Sequence, residues 1–205
     1  MQVRDVMVKR VVTIGNKETA KRAWELMRDH HFRHLPVVDE QRRVVGIVSD
    51  RDLRPVLLSA SLDELRVEEI MTEEPMTIDP EASVMEAARL MVDQKIGALP
   101  VVAGDELAGI VTETDLLSIL VELLGLLTTS ARIDVAAGEG AGAFEEIGRI
   151  IREAQGVIIS AAALTKPGGE GTIYSFRLEP CDIHSIASAL GAAGYEVISH
   201  EDSRA

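Results

Sequence analysis

Apolar and polar positions along the chain follow two periods, and the order in which the periods appear is used twice. Ala20, Ala23 and Met27 recur at helical spacing behind Thr19, a residue suited to cap a first turn. Leu35-Pro36-Val37-Val38 is a short apolar run, Asp39 to Arg43 is polar, and Val44 to Val48 is apolar again, the pattern of a β-hairpin. A helix is predicted from Asp50 to Ser59, directly behind Ser49. The next stretch repeats the scheme. Ser83 and Glu86 form a capping box ahead of Ala87, Leu90 and Met91. Leu99 to Val102 and Gly109 to Thr112 flank the polar turn Ala103-Gly104-Asp105-Glu106, and a helix follows from Glu113 toward Leu127. Each copy reads as strand, helix, strand, strand, helix.

The register of the repeat is close. Met7, Thr13, Ala23, Leu26, Met27, Leu35 and Pro36 have identical residues 64 positions on, and after a one-residue deletion in the turn Gly46 and Asp52 match Gly109 and Asp115 at 63. A unit present only twice cannot form a long solenoid, so the copies, 1–62 and 63–127, are expected to bury apolar faces against each other with a cleft between them.

Beyond Thr128 the pattern changes. Ile133 to Val135 reads as a strand, Gly138 to Gly142 as a loop, and Phe144, Ile147 and Ile151 as one face of a helix ending near Gly156. Val157 to Leu164 is a strand, Pro167-Gly168-Gly169 a turn, and Tyr174, Phe176 and Leu178 alternate with Ser175 and Arg177 in a half-buried strand. Ile183, Ile186, Ala187 and Leu190 mark a second helix and Tyr195 to Ser199 a last strand. Residues 130–205 therefore take a βαββαβ order, the ferredoxin-like plan.

Composition narrows the function. With 205 residues and 46% apolar content the chain fills packed cores. The run from Leu116 to Leu127 is interrupted by Ser118 and Glu122 and is short of the roughly 20 residues that span a bilayer, so no membrane partner is expected. No signal-peptide core follows Met1. The lone Cys181, beside Pro180, reads as a small buried side chain, and together these features fit a cytoplasmic protein. A net charge of −13 with dispersed Lys and Arg repels phosphate backbones, which argues against nucleic acid. No Walker loop, nucleophile elbow, zinc motif or dinucleotide fingerprint is present, and no catalytic residue or catalytic cofactor is assigned. His30, His31 and His34 do not make a metal set, since adjacent His30 and His31 point different ways on a helix.

The candidate chemistry lies in Ser49-Asp50-Arg51-Asp52 and Thr112-Glu113-Thr114-Asp115. A hydroxyl at a helix N-terminus, beside free backbone N–H groups and the positive end of the dipole, suits a phosphate, and a carboxylate three residues on can accept both hydroxyl hydrogens of a ribose. The same spacing also makes a capping box that binds nothing.

Residues 1 to about 125 resemble a tandem pair of cystathionine-β-synthase (CBS) domains, a Bateman module. The resemblance rests on the Met-Thr starts, the two Leu-Pro-Val-Val strands and the two Gly-hydrophobic-hydrophobic-[Ser/Thr]-x-x-Asp segments. Residues 130 to 200 are similar to an ACT domain in element order and in a Gly-rich first loop, although that family's common Asp-x-Pro-Gly loop is absent. The whole layout, an α/β (α+β) chain, resembles the acetoin-utilisation (AcuB-like) regulatory proteins. The resemblance implies an adenosine nucleotide (AMP, ADP or ATP) or a related adenosyl ligand. Ser49 and Thr112 would be phosphate or ribose contacts and Asp52 and Asp115 ribose contacts. Arg33 and His34, with Gly97 and Ala98 at the same place in copy two, would face the cleft. Each site is expected to combine the motif of one copy with the residues before Leu-Pro of the other, so that Thr112 and Asp115 share a site with Arg33 and His34, while Ser49 and Asp52 sit opposite Gly97 and Ala98.

The reading that results is a non-enzymatic sensor. The expected partners are the nucleotide and a second copy, joined in part through the leucine-rich helix of Leu116 to Leu127; the ACT-like region is expected mainly to pair its sheet with a partner subunit, with a small effector such as an amino acid at the loop 138–142 as the alternative. An oligomerisation scaffold without a ligand and an enzyme with an unrecognised site are the alternatives.

Overall fold

Thr19 and Ser83 start the two long helices of the repeat as predicted, their hydroxyls accepting from the backbone N–H groups of Arg22 and Glu86. In a computed structural model the described residues are 1–57, 63–125, 128–137, 142–165 and 171–202. They fall into two units, Met1–Leu117 and Ser118–Ala205.

In the first unit the first copy contains β1 (Ile14–Gly15), α1 (Ala20–His30), β2 (His34–Val38), β3 (Val44–Ser49) and α2 (Asp50–Leu57). The second contains β4 (Thr72–Glu73), α3 (Val84–Gln94), β5 (Ala98–Ala103), β6 (Glu106–Thr112) and the start of α4 (Glu113–Leu123), which runs past the end of the unit at Leu117. Ser59 and Leu127, the expected ends of the two closing helices, lie outside the described residues. The hairpins have matching registers: His34 faces Ser49 across β2 and β3, and Ala98 faces Thr112 across β5 and β6. A parallel partner joins each hairpin, Ile14 beside Val37 and Ile78 beside Val101.

What ties the copies together differs from a simple meeting of apolar faces. Each keeps its own core, one around Ala20, Ala23, Met27, Leu35 and Leu53 and one around Ala87, Met91, Leu99 and Val111. The segment leading into each copy completes the core of the other. Val3 is fully buried in the second core and Val67 in the first. The backbone bonds are reciprocal: Val3 N–H to the Ala82 carbonyl at 2.9 Å and Val67 N–H to the Glu18 carbonyl at 2.9 Å. Val8 pairs with Ile110, and Thr72 in the same manner with Ile47. Both crossings require glycine beneath them. A Cβ on Gly46 would collide with the Met71 sulfur, and one on Gly109 would stand 2.6 Å from the Met7 sulfur and 3.0 Å from the Val8 carbonyl.

The second unit follows the order read from the sequence: β7 (Ala131–Ala137), α5 (Ala143–Glu153), β8 (Ile158–Thr165), β9 (Thr172–Leu178), α6 (Ile183–Ala192) and β10 (Glu196–Glu201). The strands form one antiparallel sheet in the order β10-β7-β9-β8. Ile133, Val135, Phe176 and Leu178 of the sheet pack against Ile147, Ile151, Ile186 and Leu190 of the helices. Asp134 points to the opposite side and is 7% exposed. Burial pushes its carboxyl pKa up, but bonds from the Ser175 and Ser199 hydroxyls and the Arg132 guanidinium outweigh that and hold it below the ordinary value. Cys181 is half-buried, and burial, followed by Asp182 and Asp202, raises its thiol pKa, which leaves it a poor nucleophile. The loop 138–141 and the turn 167–169 lie outside the described residues.

Candidate functional site

A β-strand that ends in a hydroxyl and turns at once into a helix leaves the first N–H groups of that helix without intrahelical partners. Both copies close this turn with a carboxylate, and in the second the Asp115 N–H also donates to Thr112 Oγ1 at 3.3 Å. The Ser49 N–H and Oγ donate to Asp52 Oδ2 at 2.8 and 2.6 Å, and the Thr112 N–H and Oγ1 donate to Asp115 Oδ2 at 2.8 and 2.7 Å. Each carboxylate thus closes a capping box with one oxygen. Neither Asp52 Oδ1 nor Asp115 Oδ1 has a hydrogen-bond partner among the described residues, and a second oxygen of this kind can accept a ligand hydroxyl.

The first of these helix starts opens onto a cleft of about 470 Å³, within the usual range of roughly 300–1,000 Å³ for small-molecule sites. Ser49 and Asp52 line it together with Arg33 and His34 of the same copy and Gly97 and Ala98 of the other. Ile47, Met76 and Ile96 give it apolar walls, and Arg51, Lys95 and Glu113 add charge. Six of the eight residues singled out in the sequence therefore meet in one cleft. Thr112 and Asp115 form the corresponding box of the second copy and do not line this cleft.

Of the pairing of half-sites expected from the sequence, one half is met, since Ser49 and Asp52 share the cleft with Gly97 and Ala98, and the other is corrected. Arg33 and His34 accompany Ser49 and Asp52, not Thr112 and Asp115. The cause is local. In an antiparallel hairpin the residues that open the first strand lie beside those that close the second, so His34 stands directly across from Ser49. The Asp50 N–H donates to the Arg33 carbonyl at 3.0 Å, as the Glu113 N–H does to Gly97 at 3.1 Å. The hairpin register was available from the sequence and was enough to place them. Lys95 and Glu113 could not be found that way, because they reach the cleft from the other copy; Glu113 sits within the second motif, and no motif marks Lys95.

His34 is half-buried in this setting. Burial chiefly, and then the Arg33 guanidinium, lower its pKa, against the opposing pull of Asp50 and Glu113. Asp50 is itself engaged by Arg54 at 2.7 Å. His30 stacks on Phe32 at 5.6 Å between ring centroids, and among the described residues no group of three or more His, Cys, Asp or Glu is arranged to hold a metal ion.

A larger hollow of about 560 Å³ lies by the hairpin turns, bordered by Asp39, Arg43, Glu73, Glu74 and Asp105. Arg43 is already bonded to Asp39 there at 2.7 Å, so the remaining lining is acidic and unsuited to an anion. No described helix is long and apolar enough to cross a membrane.

Comparison with known proteins agrees with this architecture. The CBS domain family matches residues 3–59 and 67–122, more than half of the chain, and the chain belongs to that family. Hypoxic response protein 1 of Mycobacterium tuberculosis is 32% identical over 115 residues, covering 55% of this chain and 80% of that one. An uncharacterized 33.4 kDa protein encoded in a ribosomal RNA operon of Thermofilum pendens is 45% identical over 94 residues, which are 46% of this chain and 31% of that protein. Among solved structures, a protein assigned to acetoin utilization (AcuB) from Vibrio cholerae is 37% identical, with a TM-score of 0.56 over 62% of this chain and 95% of that one. The CBS pair of MJ0100, solved with 5′-methylthioadenosine and S-adenosyl-L-methionine, is 29% identical, with a TM-score of 0.54 over 58% and 95% of the two chains. CBSX2 in complex with AMP is 29% identical, with a TM-score of 0.52 over 59% and 96%.

Proposed function

We propose that the chain is a non-enzymatic, cytoplasmic regulatory sensor that binds an adenosine nucleotide in the cleft at Ser49 and Asp52. Asp52 Oδ1 accepts the ribose hydroxyls, Ser49 meets phosphate at the start of α2, and Arg33 adds charge there with the His34 imidazole beside it. Gly97 seats the His34 ring, and Ile47, Met76 and Ile96 offer an apolar surface to the base. Thr112 and Asp115 form the equivalent half-site of the second copy. The observation that carries this reading is the position of the Asp52 box at a helix start inside a cleft that also holds Arg33 and His34. The relatives solved with AMP and with S-adenosyl-L-methionine and 5′-methylthioadenosine support it.

The second unit we read as an ACT-like, ferredoxin-like domain that joins a second copy or receives a small effector such as an amino acid. Homodimerisation through α4 is part of the same reading. Leu117, Leu120 and Leu123 of that helix are 59%, 51% and 63% exposed, more apolar surface than a lone helix commonly leaves to water.

Thermal denaturation with adenosine, AMP, ADP and ATP tests the ligand. A compound at 100 times its dissociation constant stabilises the folded chain by roughly 2.7 kcal/mol. No shift with any of the four would leave the boxes as helix caps and favour an oligomerisation scaffold.

A further inference from the structure

We infer that the cleft selects adenosine ligands with two or more phosphates, and that Arg51 and Lys95 read the phosphates beyond the first. The inference rests on the nucleotide reading above and assigns a role to Arg51, a variable position within the Ser-x-x-Asp frame, and to Lys95 outside it. Arg51 stands on the first turn of α2, two residues after Ser49. Lys95 comes from the other copy, where it holds the left-handed position that ends α3, with φ 56°. Both line the cleft with Arg33.

Their charges are not spent within the protein. None of Arg33, Arg51 and Lys95 has a carboxylate at ion-pair distance among the described residues, in a chain with 34 acidic and 21 basic side chains. The contrast within α2 is direct: Arg54 holds Asp50 at 2.7 Å, so the carboxylate next to Arg51 in sequence is engaged one turn further on. Arg33, Arg51 and Lys95 are three cations around one cleft with no ion pair of their own; Asp50, Asp52, Glu74 and Glu113 also line it, but Asp50 is held by Arg54 and Asp52 by its capping box, so an anion placed beside the cations finds charge to meet. A monophosphate brings up to about two negative charges, and each further phosphate adds about one more. Arg33 and the helix start suffice for a first phosphate. Arg51 and Lys95, one from each copy, have work only if the anion extends further. Glu74 and Glu113 also border the cleft, and they repel any phosphate that is not held by the cations.

Neither residue is part of the general repeat. The positions corresponding to Arg51 and Lys95 in the other copy carry Thr114 and His31. Guanidinium and ammonium contacts to phosphate are charge-assisted and roughly twice as strong as neutral ones, so each is worth a measurable factor in affinity.

Calorimetric titration of the full chain with adenosine, AMP, ADP and ATP at one ionic strength, without divalent metal, decides the matter. ADP and ATP should bind roughly tenfold or more tighter than AMP. Arg51→Ala and Lys95→Ala should each weaken ADP and ATP by about fivefold or more and leave AMP within about twofold, and the double variant should bring the two affinities close together. Arg51→Lys should recover part of the preference. AMP bound as tightly as ADP by the unaltered chain, or equal losses for AMP and ADP in the variants, would overturn the inference and leave the nucleotide site standing. No binding of any of the four compounds would instead remove the site itself. Both side chains are exposed, so the variants are expected to fold.

Discussion

The imidazole of His34 rests on Gly97. A Cβ built on that glycine would lie 3.0 Å from Cε1 and 3.1 Å from Nε2 of the ring, with a Glu113 carboxylate oxygen at 3.5 Å. The two residues come from different copies, so the missing side chain on one copy is the seat of the ring on the other. The absence of a side chain at Gly97 is thus part of how His34 is held.

Gly97→Ala should therefore act on the ligand more than on the fold. The neighbour that must give way is the end of a side chain and has to move only a few tenths of an ångström, which predicts a stability change of about 1 kcal/mol or less. Displacing the ring that flanks the phosphate position should weaken nucleotide binding by about threefold or more. Calorimetry beside thermal denaturation separates the two effects, and a variant with full affinity would show that the seat of His34 is immaterial.

His34 also sets a pH dependence. Its pKa in the folded protein is lowered, chiefly by burial and then by Arg33, so the neutral form is favoured there. The stabilising contribution is complete above the unfolded value near 6.5 and is lost as pH falls through the lower folded value. A phosphate beside the ring reverses the preference by favouring the imidazolium, so nucleotide binding should take up protons and strengthen on mild acidification. Titrations near pH 6 in buffers of different ionisation enthalpy should report that uptake. It should vanish in His34→Gln, and persistence of the full uptake there would assign the proton to another group.

The leader exchange makes a prediction about the fold alone. Gly46→Ala places a methyl group against the Met71 sulfur and 3.2 Å from the Thr72 carbonyl, and Gly109→Ala does the same at Met7 and Val8. Backbone lies on the far side of each contact and cannot retreat cheaply. Overpacking of this kind costs roughly 1–3 kcal/mol. Chemical denaturation should find both variants destabilised by similar amounts, and a neutral outcome at both would mean that the crossings are loosely packed.

Much of this organisation is visible in the residues themselves. The caps at Thr19 and Ser83 and the apolar stripes behind them place α1 and α3, and the runs on either side of Asp39–Arg43 and Ala103–Glu106 place the hairpins, because these are local patterns with local causes. The βαββαβ order of the second unit is equally local. The leader exchange is not. Val3 and Val67 are two valines in polar surroundings, and only the folded chain brings each to the core of the other copy. The cleft divides in the same way. Ser49, Asp52, Arg33 and His34 follow from one motif and one hairpin register, whereas Lys95 and Glu113 reach it only through the packing of the two copies.

The matched boxes at Asp52 and Asp115 let a structural role be separated from a binding one. Each carboxylate receives two hydrogen bonds of nearly equal length at a helix start, and loss of a cap of this kind costs about 0.5–2 kcal/mol. Asp52→Ala and Asp115→Ala should therefore lower stability by similar amounts. Only Asp52 faces the cleft of Arg33 and His34. Its removal leaves the ribose hydroxyls of a ligand in that cleft without an acceptor, a loss of roughly 1–3 kcal/mol, or about one to two powers of ten in affinity. For ADP measured by calorimetry, Asp52→Ala should show that loss while Asp115→Ala binds as the unaltered chain does. Affinity unchanged from the unaltered chain in both variants would reduce Asp52 to a helix cap, and equal loss in both would mean that the second box takes part in the same site.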